Sequence, residues 1–206
     1  MRIFKLCMAA VFITGLLGGM QAVKAETAGG PGLTVGTAAP DFTAPAYDGK
    51  TVTLSELYKK GPVVLIFYRG AWCPYCNLHL KSFQTRLSDL QKLGASVVAV
   101  SVDKPEYGTK VVKEGLIDFP VVSDSQTDIL KAYNVIYQVP ADLAAKYRVA
   151  YKIDLEAHSG RADHVIAVPA TYVIDSSGKI VFAYANADYK VRTQPEEVIE
   201  FLTNHK

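Results

Sequence analysis

The chain has 206 residues, with 22 basic and 20 acidic side chains for a formal charge of +2, and half of its residues are hydrophobic. That balance lacks the clustered positive charge of a nucleic-acid-binding surface. The length allows one domain with a substantial core and shows no internal repeat.

The first residues, Met1-Arg2-Ile3-Phe4-Lys5, are basic, and an apolar, Gly/Ala-rich run follows to about Met20. Val23-Lys24-Ala25 then offers small residues at the spacing of a signal-peptidase site. The expectation is a cleaved secretory signal over residues 1–25, which implies a periplasmic or secreted protein, with an uncleaved anchor as the alternative. Cys7 lies inside the apolar run and would leave with it. Removing Arg2, Lys5 and Lys24 with no acidic residue leaves 19 basic against 20 acidic side chains, so the basic pI belongs partly to the signal.

Residues 26–36 are rich in Gly, Thr and Pro and predict a flexible lead-in to a domain spanning 37–206. Pro40–Tyr47 predicts a strand, Asp48-Gly49 a hairpin turn, Thr51–Leu54 the returning strand and Ser55–Tyr58 a short helix. The apolar run Val63–Tyr68 predicts a buried strand. Leu80, Phe83, Leu87 and Leu90 predict one face of the helix after it. Between them stands Trp72-Cys73-Pro74-Tyr75-Cys76. The first cysteine therefore falls where a strand hands over to a helix N-terminus, and there the helix dipole and free N–H groups stabilise a thiolate. A C-x-x-C bridge closes a very short loop and restrains the unfolded chain little, so the pair suits redox switching better than stapling. A structural disulfide and half of a metal site remain the alternatives.

Gly94 stops the helix and Ser96–Val102 predicts a second strand, parallel to the first through a right-handed crossover. A helix is predicted from Pro105 to about Gly115, a short strand at Pro120–Val122, and a helix over Ile129–Tyr133 opened by a capping box at Ser125–Asp128. Residues 135–167, with a possible helix at Pro140–Tyr147 and a polar stretch from Glu156 to His164, read as an insertion near the active face. Ala170–Asp175 and Lys179–Tyr184 predict an antiparallel hairpin, and Thr193–Glu196 the cap of a last helix. The class is α/β, a mixed sheet flanked by helices.

Ala39-Pro40-Asp41-Phe42, Phe67–Cys76 and Val168–Asp175, in this order, resemble the alkyl hydroperoxide reductase/thiol-specific antioxidant superfamily, and within it the peroxiredoxin-like subfamily with a C-P-[YF]-C centre. The resemblance covers nearly all of residues 35–205. It implies a thioredoxin-like, peroxiredoxin-type fold and a thiol peroxidase acting on hydrogen peroxide or organic hydroperoxides, without a cofactor. By the resemblance Cys73 is the nucleophile and Cys76 the resolving cysteine, and a thioredoxin-like envelope reductant or a membrane-embedded thiol relay restores the pair.

The chain departs from the family's Pro-x-x-x-Thr-x-x-Cys pattern. The Thr position is Gly70, the Pro position is Ile66, and the family's Arg before the late strand falls on Pro169. Arg69 either replaces that cation or is a strand-end charge facing solvent. Trp72-Cys73-x-x-Cys76 and Val168-Pro169 lean toward thioredoxin-like disulfide exchangers. In that resemblance a cis Val168–Pro169 bond exposes the Val168 backbone to a substrate strand, and the reading becomes a periplasmic thiol–disulfide oxidoreductase. A third reading resembles copper carriers and takes Cys73, Cys76 and His164 as ligands. Tyr68, Trp72 and Tyr75 either line a substrate groove or pack internally. The Asn186–Arg192 segment resembles one in the same subfamily but has no evident physical role.

Overall fold

A computed structural model describes residues 30–108 and 117–205. The expected signal (residues 1–25), residues 26–29, and positions 109–115 of the expected helix lie outside the described residues.

The central sheet runs in the order β5-β4-β3-β8-β9. β3 (Val63–Phe67), β4 (Ser96–Ser101) and β5 (Val121–Ser123) are parallel, while β8 (Ala170–Ile174) and β9 (Ile180–Ala185) are antiparallel additions. Every residue of β3 is buried, as befits a central strand covered on both faces. Alternation then divides the core. Val63, Leu65 and Phe67 face one side, against Leu54 of α1 (Leu54–Tyr58) and Ile129 and Leu130 of α4 (Asp128–Ala132). Val64, Ile66 and Tyr68 face the other, against α2 (Pro74–Thr85), α3 (Leu87–Lys92) and Val198 and Leu202 of α7 (Pro195–Asn204). This is the mixed sheet between helices that the sequence predicts, and the hairpin of β1 (Thr43–Pro45) and β2 (Thr51–Thr53) also stands where expected.

Local details differ. The single predicted helix after β3 is two, broken at Arg86, although Leu80, Phe83, Leu87 and Leu90 all stay buried in one cluster. No capping box opens α4: Thr127 takes the N-cap position at φ 65°, and the Asp124 carboxylate accepts the Leu130 N–H at 2.8 Å. The last helix begins one residue later than expected, with a Gln194/Glu197 capping box and Pro195 in its first turn. From Gly30 on, the expected flexible lead-in is tied down. Gly32 N–H donates to Asn134 O, Leu33 N–H to the Tyr172 hydroxyl and Gly36 N–H to Ile180 O.

The 135–167 stretch holds a two-stranded ribbon, β6 (Ile136–Gln138) with β7 (Val165–Ala167), around α5 (Ala141–Tyr151) and α6 (Leu155–Ser159). The sequence shows β6 poorly because all three of its residues are exposed and carry no inward–outward alternation.

Candidate active site

Cys73 is the N-cap of α2, with extended backbone (φ −91°, ψ 111°) and Pro74 next in line. Its carbonyl accepts the Cys76 and Asn77 N–H groups at 3.0 and 3.1 Å and so starts the helix, while its own N–H donates to Gly70 O. The sulfur thus sits among helix-terminal N–H groups with positive partial charge. Cys73 and Cys76 are both free thiols and both buried. The Cys73 thiol is lowered from 9.0 to about 6, chiefly by the hydrogen bond from Cys76, against the opposing effect of burial. The Cys76 backbone N–H, Arg69 and Arg192 lower it further. Cys76 moves the other way, pushed well up by burial first and then by Cys73. One thiol ionised and its neighbour protonated is the division of labour that a nucleophile and a reserve thiol require.

Arg69, the residue after Tyr68 at the end of β3, does not face solvent: it is 6 % exposed. Its Nη1 lies 4.0 Å from Cys73 Sγ, and its Nη2 donates to the Tyr147 hydroxyl at 2.7 Å. The guanidinium carbon lies 4.2 Å from the Tyr189 ring centroid and 4.9 Å from that of Trp72, within cation–π range of both. Trp72 packs on Tyr147, and Tyr75 meets Tyr189 edge-on. These aromatics therefore hold the cation beside Cys73. Tyr68 belongs to the core instead, fully buried beneath α2.

The loop between Arg69 and Cys73 is held from below. Asp103, just beyond β4 and fully buried, accepts the Ala71 N–H on Oδ2 at 2.6 Å. Among the described residues its Oδ1 has no hydrogen-bond partner, and His158 Nδ1 lies 3.8 Å from it. Burial raises the Asp103 carboxyl to about 7, the Ala71 hydrogen bond opposes this, and the Cys73 charge adds to it. Gly70, at the position of the family's Thr, has φ 153°. A side chain there would collide with the Trp72 indole and approach Asp103 Oδ1 to 2.9 Å. The missing Thr is thus a property of the whole loop, whose space the indole and the carboxylate occupy.

Two expectations are corrected. The Val168–Pro169 bond is trans. The Val168 N–H donates to Val135 O at 2.7 Å and Pro169 O accepts the Asn186 N–H at 3.2 Å, so this backbone is spent on internal ladders and both residues are buried. The Val168 N–H and the Pro169 carbonyl are therefore already paired within the protein. The copper set is not assembled either. His164 Nε2 pairs with Glu156 Oε1 at 2.9 Å, and among the described residues no group of three His, Cys, Asp or Glu side chains could hold a metal ion.

The sequence reading missed Tyr147, Asp103, Tyr189 and Arg192. The last two lie in the 186–192 segment, which it singled out without a role. Asp103 had one available signal, its place at the carboxyl end of a parallel strand, where α/β sheets build their sites.

The chain is similar to known proteins along most of its length. Peroxiredoxin Bcp of Escherichia coli (strain K12) is 24 % identical over 173 residues, which cover 84 % of this chain and 97 % of that one. The chloroplastic Peroxiredoxin Q of Populus jackii is 32 % identical over 165 residues, 80 % of this chain and 64 % of that one. The crystal structure of peroxidoxin BcpB from Mycobacterium tuberculosis superposes with a TM-score of 0.65 at 21 % identity, over 84 % of this chain and 97 % of that one, and shares the fold. The profile of the AhpC/TSA family matches residues 35–183, more than half of the chain, and the protein belongs to that family.

Proposed function

We propose that this protein is a thiol peroxidase that reduces hydroperoxides, with Cys73 as the nucleophile and Cys76 as the resolving thiol. The observation that carries this reading is the Cys73 thiol, lowered to about 6 at the N-terminus of α2, with the Arg69 guanidinium 4.0 Å away. The Cys73 thiolate attacks the distal peroxide oxygen, the O–O bond breaks, and the alkoxide or hydroxide leaves and takes a proton. Cys73 becomes a sulfenic acid. Arg69 is placed to polarise the peroxide and to stabilise charge on the leaving oxygen. The Cys76 thiolate then attacks Cys73 Sγ and expels hydroxide, which leaves as water, and the Cys73–Cys76 disulfide forms. A dithiol reductant of thioredoxin type returns two electrons by exchange. The signal-like residues 1–25 support an envelope location for this cycle and for its reductant.

The disulfide-exchange alternative is less well supported, because the Val168 N–H that would pair with a substrate strand already donates to Val135 O. Stopped-flow oxidation of the reduced protein by hydrogen peroxide and by an organic hydroperoxide tests the proposal. Trp72, the single tryptophan, reports beside Cys73, and Cys73→Ser supplies the blank. Oxidation far faster than that of a free thiol at the same pH is expected; oxidation no faster sinks the peroxidase reading.

A further inference from the structure

The resolving step asks for something the peroxide step does not. Cys76 must give up its proton inside a fully buried site, and burial and the neighbouring Cys73 both hold that proton on. The structure places one guanidinium against this sulfur. Arg192 Nη2 lies 3.4 Å from Cys76 Sγ, although 116 residues separate the two in sequence. The side chain is anchored at its base, where Nε donates to Tyr189 O at 2.8 Å. Its Nη1 is buried and has no hydrogen-bond partner among the described residues. The anion that this chemistry forms beside Nη2, and that the reduced protein lacks, is the Cys76 thiolate.

We propose that Arg192 is a catalytic residue of the resolving step, its guanidinium stabilising the Cys76 thiolate as that thiolate attacks the Cys73 sulfenic acid. The inference rests on the reading of Cys76 as the resolving thiol. It divides the two cations between the two sulfurs: Arg69 serves Cys73 and the incoming peroxide, and Arg192 serves Cys76. The other groups facing Cys76 cannot replace it. Arg69 commits Nη2 to Tyr147 and turns Nη1 to Cys73, contributing only its backbone N–H to Cys76. His79, one turn along α2, donates Nε2–H to Thr193 O at 2.7 Å, and burial first, with Arg192 adding, lowers it to about 4, so it stays neutral. The Arg192 charge also reaches Cys73, where it is the last of the lowering influences. As to balance, the Cys76 proton leaves with the hydroxide displaced from sulfur, so the step releases one water and consumes no other reagent. A site preorganised for this transfer accounts for a cysteine pair held within one turn of a single helix, where Cys76 waits on the underside of its partner.

The test separates the two phases. The reduced protein is mixed with hydrogen peroxide, Trp72 fluorescence follows sulfenic acid formation and then disulfide formation, and dimedone quantifies the sulfenic acid that persists. In Arg192→Gln the second phase is expected to slow about a hundredfold, the order expected when one charge-stabilising donor is lost. The first phase should slow much less, dimedone labelling of Cys73 should rise, and the pH midpoint of the second phase should move upward. Arg192→Lys keeps the charge but loses the fork, and should slow the second phase about threefold with the midpoint retained. Arg192→Met serves if the Gln variant fails to fold. A second phase with wild-type rate and midpoint in Arg192→Gln or Arg192→Met overturns the role of Arg192. A wild-type protein that stops at the dimedone-reactive sulfenic acid, with no Cys73–Cys76 disulfide, refutes Cys76 as the resolving thiol, and the inference falls with it.

Discussion

Asp103 Oδ2 accepts the Ala71 N–H at 2.6 Å, while Oδ1 of the same fully buried carboxyl is left without a partner. The short bond fixes the backbone two residues before the nucleophile. The free oxygen makes the group expensive to ionise. Asp103 is raised from 3.8 to about 7, by burial above all, so its proton is held more tightly in the folded than in the unfolded protein. Below pH 3.8 the carboxyl is neutral in both states and costs nothing. As pH rises toward 7 the unfolded chain ionises first and folding is disfavoured, and above about 7 the penalty is complete. Asp103→Asn keeps an oxygen for Ala71 and removes the charge. It should flatten the fall in Tm between pH 4 and 7 and leave the Cys73 midpoint near 6, read by thiolate absorbance near 240 nm, because the carboxyl is still protonated when the thiol ionises. A midpoint that moves downward would mean that Asp103 is already charged beside Cys73.

With Cys73 at about 6, the rate of peroxide oxidation should rise through that pH and level off above it, because only the thiolate reacts. Arg69→Met removes the cation beside the sulfur. It should slow the first phase about a hundredfold at pH 7, on the scale of a lost transition-state charge donor, and move the pH midpoint upward. A variant with wild-type kinetics would show that Arg69 only packs among its aromatics.

Tyr147 is a positioning residue, reaching Arg69 through its hydroxyl at 2.7 Å across 78 residues of sequence. Tyr147→Phe preserves the ring against Trp72 but leaves Arg69 Nη2 without its acceptor. A loss of about 1–2 kcal/mol in urea unfolding is expected, as for a hydrogen bond to a charged group. The first phase should slow several-fold. A stability effect with no kinetic effect would limit Tyr147 to the fold.

Gly70 tests the loop itself. Gly70→Ala would drive a methyl group into the Trp72 indole and toward Asp103 Oδ1, at a φ of 153° that side chains rarely adopt. The expected cost is about 2–4 kcal/mol, combining overpacking and backbone strain. It should appear as a lower urea midpoint together with altered Trp72 fluorescence. A neutral substitution would show that the loop has room for the family's Thr.

Much of this was legible in the chain because it is local. Apolar continuity marks β3, spacing of three and four marks the buried face of α2 and α3, and the C-x-x-C motif places Cys73 at the N-cap. What escaped was either weakly patterned or made by contact. β6 is exposed throughout, so its pairing with β7 left no alternation to read. The Asp124 bond to Leu130 replaced a capping box that spacing alone had suggested. Val168-Pro169 looked like a substrate-binding edge until its neighbours were known. Its N–H and C=O groups find internal partners at Val135 and Asn186, which no local motif announces.

The sequence by itself therefore determined the fold class, a cysteine at a helix N-terminus with a second one turn on, and the closeness of Arg69 in the chain, since hydrophobic period and helix-terminal spacing act over a few residues. The tertiary structure alone decided which groups surround the two sulfurs. Asp103, Tyr147 and the Tyr189–Arg192 pair come from three separate segments, brought together by packing on a sheet whose strand order departs from chain order. Their contacts then set the two thiols apart: burial weighs on both sulfurs, but at Cys73 the hydrogen bond from Cys76, with the Cys76 N–H and Arg69 adding, outweighs it, and at Cys76 burial prevails.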